Sequence, residues 1–150
     1  MSDHHHKETF ITKYIFSMDH KMIAKQFLIT GMFMAVIGML MSAIFRVQLA
    51  NPGESSILYT LLPGDWINDA GALNPDKYLA LVTMHGTILV FWVLTAGLSG
   101  TFANFLIPLQ IGARDMASGF LNMLSYWFFF IATVVLISSI YVQGGPASGG

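Results

Sequence analysis

Cysteine is absent from the 150 residues. That excludes disulfides, iron–sulfur ligation and thiolate ligation of haem, and it excludes covalent c-type haem attachment, which needs Cys-x-x-Cys-His. The redox compartment stays open, because a chain without thiols is compatible with any. Charge is the second scarcity. Only 10% of the residues are Asp, Glu, Lys or Arg, against roughly 25% in an average soluble domain. The formal net charge is −1, and no basic patch interleaved with aromatics is present to hold a nucleic acid. The first residues are not expected to be a secretory leader. Met1 to Lys25 mixes acids, lysines and the run His4, His5, His6, with no apolar h-region and no small-residue cleavage site. The histidine run could be a metal-binding tract, part of a tag or a native solvated run, and it is given no role. No phosphate loop, nucleophile–base arrangement or paired-carboxylate pattern occurs.

What the chain has in abundance is apolar surface: 55% of its residues are hydrophobic, with a mean hydropathy of +0.64. This predicts an integral membrane protein of the all-α class. Gln26 to Phe45 carries no charge and is closed by Lys21 and Lys25 on one side and Arg46 on the other. About 20 helical residues at 1.5 Å rise cross a core ~30 Å thick. A second uncharged run covers Tyr78 to Ala113, and a third apolar segment runs from Asn122 to Val142. Three transmembrane helices are expected at about 24–48, 78–110 and 121–143, as the N-terminal part of one transmembrane domain. The 50–77 connection contains Asn51-Pro52-Gly53, Pro63-Gly64-Asp65 and Asn74-Pro75-Asp76, which are turn signals. The N-terminal segment carries Lys7, Lys13, Lys21 and Lys25, and the 2–3 connection carries Arg114; the 1–2 loop holds Glu54, Asp65, Asp69 and Asp76 against Lys77. Positive-inside counting places the N-terminus on the cytoplasmic side.

His85 stands inside the second uncharged run. An ionisable group there is costly unless it has a partner, so it marks a functional site by default. It lies seven residues into the span, about 10 Å below the outer end. Small neighbours and the lack of a nearby carboxylate suit a haem-iron ligand; a core histidine bonding a neighbouring helix fits the same position. Gly86, Ala96, Gly97, Ser99, Gly100 and Ala103 make this helix thin, which serves close helix packing and a flat macrocycle equally. Arg46 closes the first span at the same outer side, where it could bond a cofactor carbonyl or carboxylate bidentately or simply snorkel. Asp115 follows the second span, with Asn104 before it and Asn122 after. A carboxylate at a mouth with amides leading inward can feed protons to a file of waters; alternatively Asp115 caps the third helix and the amides make ordinary interhelical bonds. Met34 and Met84 are read as core filling, and Asp65 with Asp69 as a solvated loop face.

Taken in order, these pieces resemble subunit I of the haem–copper terminal oxidases, the cytochrome c oxidase family. Ser17-Met18-Asp19-His20-Lys21 is similar to the Asx-His-Lys start of its first helix. Arg46-Val47-Gln48-Leu49 with Pro52-Gly53 is similar to the Arg-x-Glu-Leu…Pro-Gly end of that helix. Met84-His85-Gly86-Thr87, then Asn104 through Pro108 and Gly112 to Asp115, resembles the family signature, and Asn122-Met123-Leu124-Ser125-Tyr126-Trp127 resembles the opening of its third helix. The likeness covers about residues 17 to 145.

The resemblance implies a bundle of about twelve helices, of which this chain supplies three. It implies that His85 is one of two axial imidazoles of a low-spin haem, that Arg46 contacts its formyl group if it is haem a, and that Ser42 lies nearby. Asp115 would open a proton-uptake channel lined by Asn104 and Asn122. The high-spin haem and copper B would be ligated by later helices, so this piece alone would be inactive. The implied partners are the rest of subunit I, subunits II and III, a cytochrome c or quinol donor, the lipid bilayer, and a respiratory supercomplex, in a bacterial plasma membrane. The sequence departs from the family at Gln48, where Glu often helps form an outer cation site. It also departs at Arg114, where Pro is usual, and at Gly119, Phe120 and Met123, where one channel amide is lost. Two other readings fit the residues. One is a transporter or assembly subunit with a structural histidine. The other is a nitric oxide reductase relative, a branch that usually lacks the proton route of Asp115.

Overall fold

The computed structural model describes residues 9–52, 57–142 and 146; His4 to His6 and Glu54 lie outside them. Three helices are long and apolar enough to cross a membrane: α1 (His20–Ala50), α2 (Pro75–Ile111) and α3 (Gly119–Tyr141), and no β-strand occurs among the described residues. The fold is the all-α membrane architecture expected. α1 begins four residues earlier than the apolar run suggests, because Asp19 caps it, its side chain accepting from the Lys21 N–H at 3.2 Å. α2 starts with Pro75 in its first turn, where a missing N–H costs nothing. It stops at Gly112, whose φ of 69° is the left-handed cap that glycine adopts freely. α3 is capped by Ser118, whose hydroxyl accepts from the Leu121 N–H.

Lipid gives apolar faces no reason to associate, so the helices are held by close packing and interhelical hydrogen bonds. α1 and α2 touch backbone to backbone. A Cβ on Gly31 would lie 3.0 Å from the Gly97 Cα, and one on Gly97 would lie 3.1 Å from the Gly31 Cα and, within α2 itself, 2.8 Å from the Trp92 carbonyl oxygen. That carbonyl comes so near because α2 is wound wide, as a π-helix, from Ile88 to Leu98. Gly100 receives the Phe27 ring, which leaves 2.6 Å for a Cβ. α3 is tied on by Thr30 to the Tyr126 hydroxyl, 3.1 Å, and by the Trp92 indole N–H donating to Thr133, 2.8 Å. Met34 and Met84 are buried among core residues, as read from the sequence.

The described part of the 1–2 loop, residues 57–74, packs as a lid against the ends of α1 and α2 on the His85 side of the bundle. Trp66 is buried with Lys77 over its ring, and Lys77 also reaches the Asp65 carboxylate at 3.9 Å. Gln48 Oε1 accepts from the Tyr59 hydroxyl at 2.8 Å and from the Leu73 N–H at 3.0 Å, so the end of α1 holds both sides of the lid.

Candidate functional site

His85 sits half-buried on α2, facing α1. Its Nδ1 lies 2.8 Å from the carbonyl oxygen of Gly38. A carbonyl can only accept, so Nδ1 carries the proton, and the lone pair of the neutral ring is on Nε2. Phe45 packs edge-on to the imidazole, with ring centroids 5.4 Å apart. Gly38, Ser42 and Arg46 recur every four residues and so share one strip of α1. Arg46 is eight residues, about 12 Å, beyond the level of His85. Its side chain is exposed and makes no hydrogen bond or ion pair among the described residues.

The structure sorts the small residues of α2 that the sequence left equivalent. Gly97 and Gly100 are taken by α1 packing, whereas a Cβ on Gly86 would meet nothing within 4 Å. The position of Gly86, next to His85, is therefore open, as are other positions along α2 such as Val90, Leu94 and Phe102. No group of three or more metal-ligating side chains occurs among the described residues. A single oriented imidazole cannot hold a free ion. It does fit a macrocycle that brings its own equatorial nitrogens and needs only an axial ligand, and the hydrogen bond on Nδ1 is the kind that sets tautomer and ring direction in such ligands.

At the end of the bundle away from His85, Asn104 and Asn122 make the interhelical bond that was the alternative to a channel lining: Asn122 Nδ2 donates to Asn104 Oδ1, and Asn104 Nδ2 donates to the Gly100 carbonyl. Asp115 is exposed on the 2–3 connection, and its carboxylate accepts from the Met116 N–H at 2.8 Å. It does not cap α3; Ser118 does. Together with Lys13, Ser17 and Asp19 it lines a cavity of about 520 Å³ beneath the N-terminal segment. Met123, at the position of the lost amide, packs with Ile23, Phe27 and Tyr126. Gly119 lies against Met18, where a Cβ would be 3.0 Å from the backbone oxygen.

The sequence reading missed His20. Sequence places it only in the Asp19-His20-Lys21 start of the first helix, with no role, but it is 2% exposed and its Nδ1 lies 2.8 Å from the Asn104 carbonyl oxygen. The only sequence signal is Pro108. It is four residues beyond Asn104, has no N–H, and so leaves that carbonyl without its helical partner.

Residues 22–150 match the family described as cytochrome C and quinol oxidase polypeptide I. The chain is 38% identical to the alternative cytochrome c oxidase subunit 1 of Bradyrhizobium diazoefficiens over 146 residues, 97% of this chain and 22% of that protein. It is 38% identical to cytochrome c oxidase subunit 1 of Thermostichus vulcanus, over 91% of this chain and 22% of that protein. A heme-copper oxidase subunit I+III of Aeropyrum pernix is 34% identical over 93% of this chain and 15% of that protein. The chain thus spans about a fifth of the length of the curated relatives it matches, and over that span it belongs to the cytochrome c and quinol oxidase polypeptide I family.

Proposed function

We propose that this chain is the N-terminal part of subunit I of a terminal respiratory oxidase, and that His85 is an axial ligand of its low-spin haem. The observation that carries the reading is the 2.8 Å bond from His85 Nδ1 to the Gly38 carbonyl, which holds the ring and leaves Nε2 without a hydrogen-bond partner among the described residues. Ser42 and Arg46, on the same strip of α1, would hold the substituents of the ring, Arg46 by its guanidinium to a formyl oxygen if the group is haem a. When bound, the haem supplies one-electron transfer toward a high-spin haem and copper B held by later helices, where oxygen is reduced to water and protons are pumped. A further ligand to the haem iron would have to come from those later helices.

Asp115 takes up protons from the cytoplasmic side, and the Asn104–Asn122 pair orders the route inward. Arg114, exposed beside Asp115, adds a positive charge at the mouth. Subunits II and III and a cytochrome c or quinol donor complete the complex, which resides in a bacterial plasma membrane with the N-terminus inside. A respiratory supercomplex is a further level of assembly. The oxidase names of the relatives favour this reading over the nitric oxide reductase one.

The test is the optical spectrum of the complete oxidase. His85→Ala is expected to abolish the low-spin haem bands while the protein still inserts and assembles. Persistence of those bands in the variant would overturn the assignment. Asp115→Asn should slow proton uptake while leaving the spectrum unchanged.

A further inference from the structure

One hydrogen bond fixes one point of a ring. The bond from Nδ1 to the Gly38 carbonyl leaves the His85 imidazole free to pivot about that point, and a pivot swings Nε2 with it. Phe45 supplies a second contact. Its ring meets the imidazole in a T-shaped pair, with centroids 5.4 Å apart and planes at 75°. Phe45 is itself braced from behind. It makes another T-shaped pair with Tyr78, with centroids 6.2 Å apart and planes again at 75°. Tyr78 and His85 are seven residues apart on α2, which puts them on one face, about 10.5 Å apart along the axis. The Phe45 ring reaches both, so it fills the gap between them. Phe45 and Tyr78 also pack against the buried cluster that contains Met41, Ile44, Leu81 and Met84.

The order along α1 completes the geometry. Gly38 and Phe45 are also seven residues apart, two turns along one face of α1. Both touch His85, one by its carbonyl and the other by its ring. The imidazole is therefore bracketed, with Gly38 toward the start of α1 and Phe45 toward its end. The hydrogen bond draws the ring one way and the phenyl wedge stops it the other way. An aliphatic side chain could fill that volume, but it has no flat face or edge to resist a tilt of the imidazole. We infer that Phe45, braced by Tyr78, is a positioning residue for His85: it fixes the plane of the imidazole and so the direction of Nε2, as outer partners do for metal-ligating histidines. The inference rests on the reading of His85 as an axial ligand and adds to it a residue that acts through the histidine.

The experiment uses the complete oxidase in its oxidised form and reads the low-spin ferric haem by electron paramagnetic resonance, whose g values follow the plane of an axial imidazole. Phe45→Leu should keep the haem but shift and broaden its resonance, because the imidazole then samples a range of planes. Phe45→Tyr keeps the ring and should hold the parental line. Tyr78→Leu should give a smaller shift in the same direction, and it carries the test if Phe45→Leu fails to assemble. The double variant should shift no further than Phe45→Leu alone, because Tyr78 acts through Phe45. Phe27→Leu removes a ring from the other buried cluster; it should lower thermal stability with the line unchanged. An unchanged line in Phe45→Leu overturns the inference. So does a line displaced as far in Phe45→Tyr, or an equal shift in Phe27→Leu, which would mark general loosening of the bundle. Additive shifts from Phe45 and Tyr78 overturn the brace. A low-spin signal that survives His85→Ala sinks the ligand assignment itself; its loss there, with Phe45→Leu silent, sinks the role of Phe45 alone.

Discussion

Two histidines make the same bond at opposite ends of the bundle. His85 and His20 each place Nδ1 2.8 Å from a main-chain carbonyl on the neighbouring helix. The carbonyls differ. That of Asn104 faces Pro108, which has no N–H to give, so His20 replaces a hydrogen bond that the helix itself cannot make. That of Gly38 lies mid-α1, where Ser42, four residues on, has an N–H to donate; His85 uses the second lone pair of an oxygen the helix already serves. Burial differs in the same sense. His20 is 2% exposed, closed in on all sides, whereas His85 is half-buried, next to the open position at Gly86. One bond meets a need of the fold and the other aims a ring.

The sharpest way to break this comparison is to remove each ring from the complete oxidase. His85→Ala should lose the low-spin haem absorbance entirely and leave thermal unfolding near the wild-type value. His20→Ala should keep the absorbance and lower stability by about 1–3 kcal/mol, the cost of stranding a buried acceptor. A spectrum that collapses in both variants, or in neither, would show that the two bonds do one job.

A double-mutant cycle tests the proline argument directly. Pro108→Ala restores an N–H at the position that Asn104 lacks. His20→Ala made in that background should cost less than His20→Ala alone, by about 1 kcal/mol measured from denaturation midpoints. Additive losses would mean that His20 is held for another reason. On the other side of the comparison, Gly38→Ala would bring a Cβ to 3.2 Å from Leu89 Cδ2 and 3.4 Å from Ile88 Cγ2. These side-chain atoms can yield by a few tenths of an ångström. The expected cost is about 1 kcal/mol, with haem ligation retained and its bands broadened as the carbonyl that aims His85 shifts.

The comparison also shows which features can be read from residues and which cannot. The three spans were legible because charge is absent over helix-length runs, and the loops because Pro and Gly cluster between them. His85 was legible because an ionisable side chain in an uncharged run needs a reason. His20 failed the same test: its neighbours Asp19 and Lys21 are charged and exposed, and only the tertiary contact with α2 buries it. The carbonyl freed by Pro108 could be inferred from sequence, but the donor that answers it could not, since 84 residues separate the pair. The glycines of α2 show the same limit. Gly86, Gly97 and Gly100 are alike in sequence, and only the position of α1 tells which are packing surfaces and which borders a space. The π-winding from Ile88 to Leu98 has no signature in an apolar run that suits either helical pitch.

The smallest expected effect separates the two ends by pH. Tyr59 belongs to the lid on the His85 side, and burial pushes its phenol above the ordinary value near 10. Its hydroxyl donates to Gln48 Oε1, which also accepts from Leu73. Folding therefore favours the neutral phenol. That contribution is fully present below the ordinary value and is lost as pH rises through the raised folded one. Ionisation removes the donor and sets a negative oxygen against the Gln48 carbonyl. Above pH ~10 the lid should loosen, seen as faster proteolysis of the 57–74 region alongside the rise in tyrosinate absorbance, while the His20 end keeps its amide-exchange protection. Tyr59→Phe should remove the pH dependence of lid cleavage and weaken the lid by about 1 kcal/mol at neutral pH. If lid and His20 end loosen together in wild type and in Tyr59→Phe alike, the two halves form one cooperative unit, and the separate roles assigned to their histidines would have to be merged.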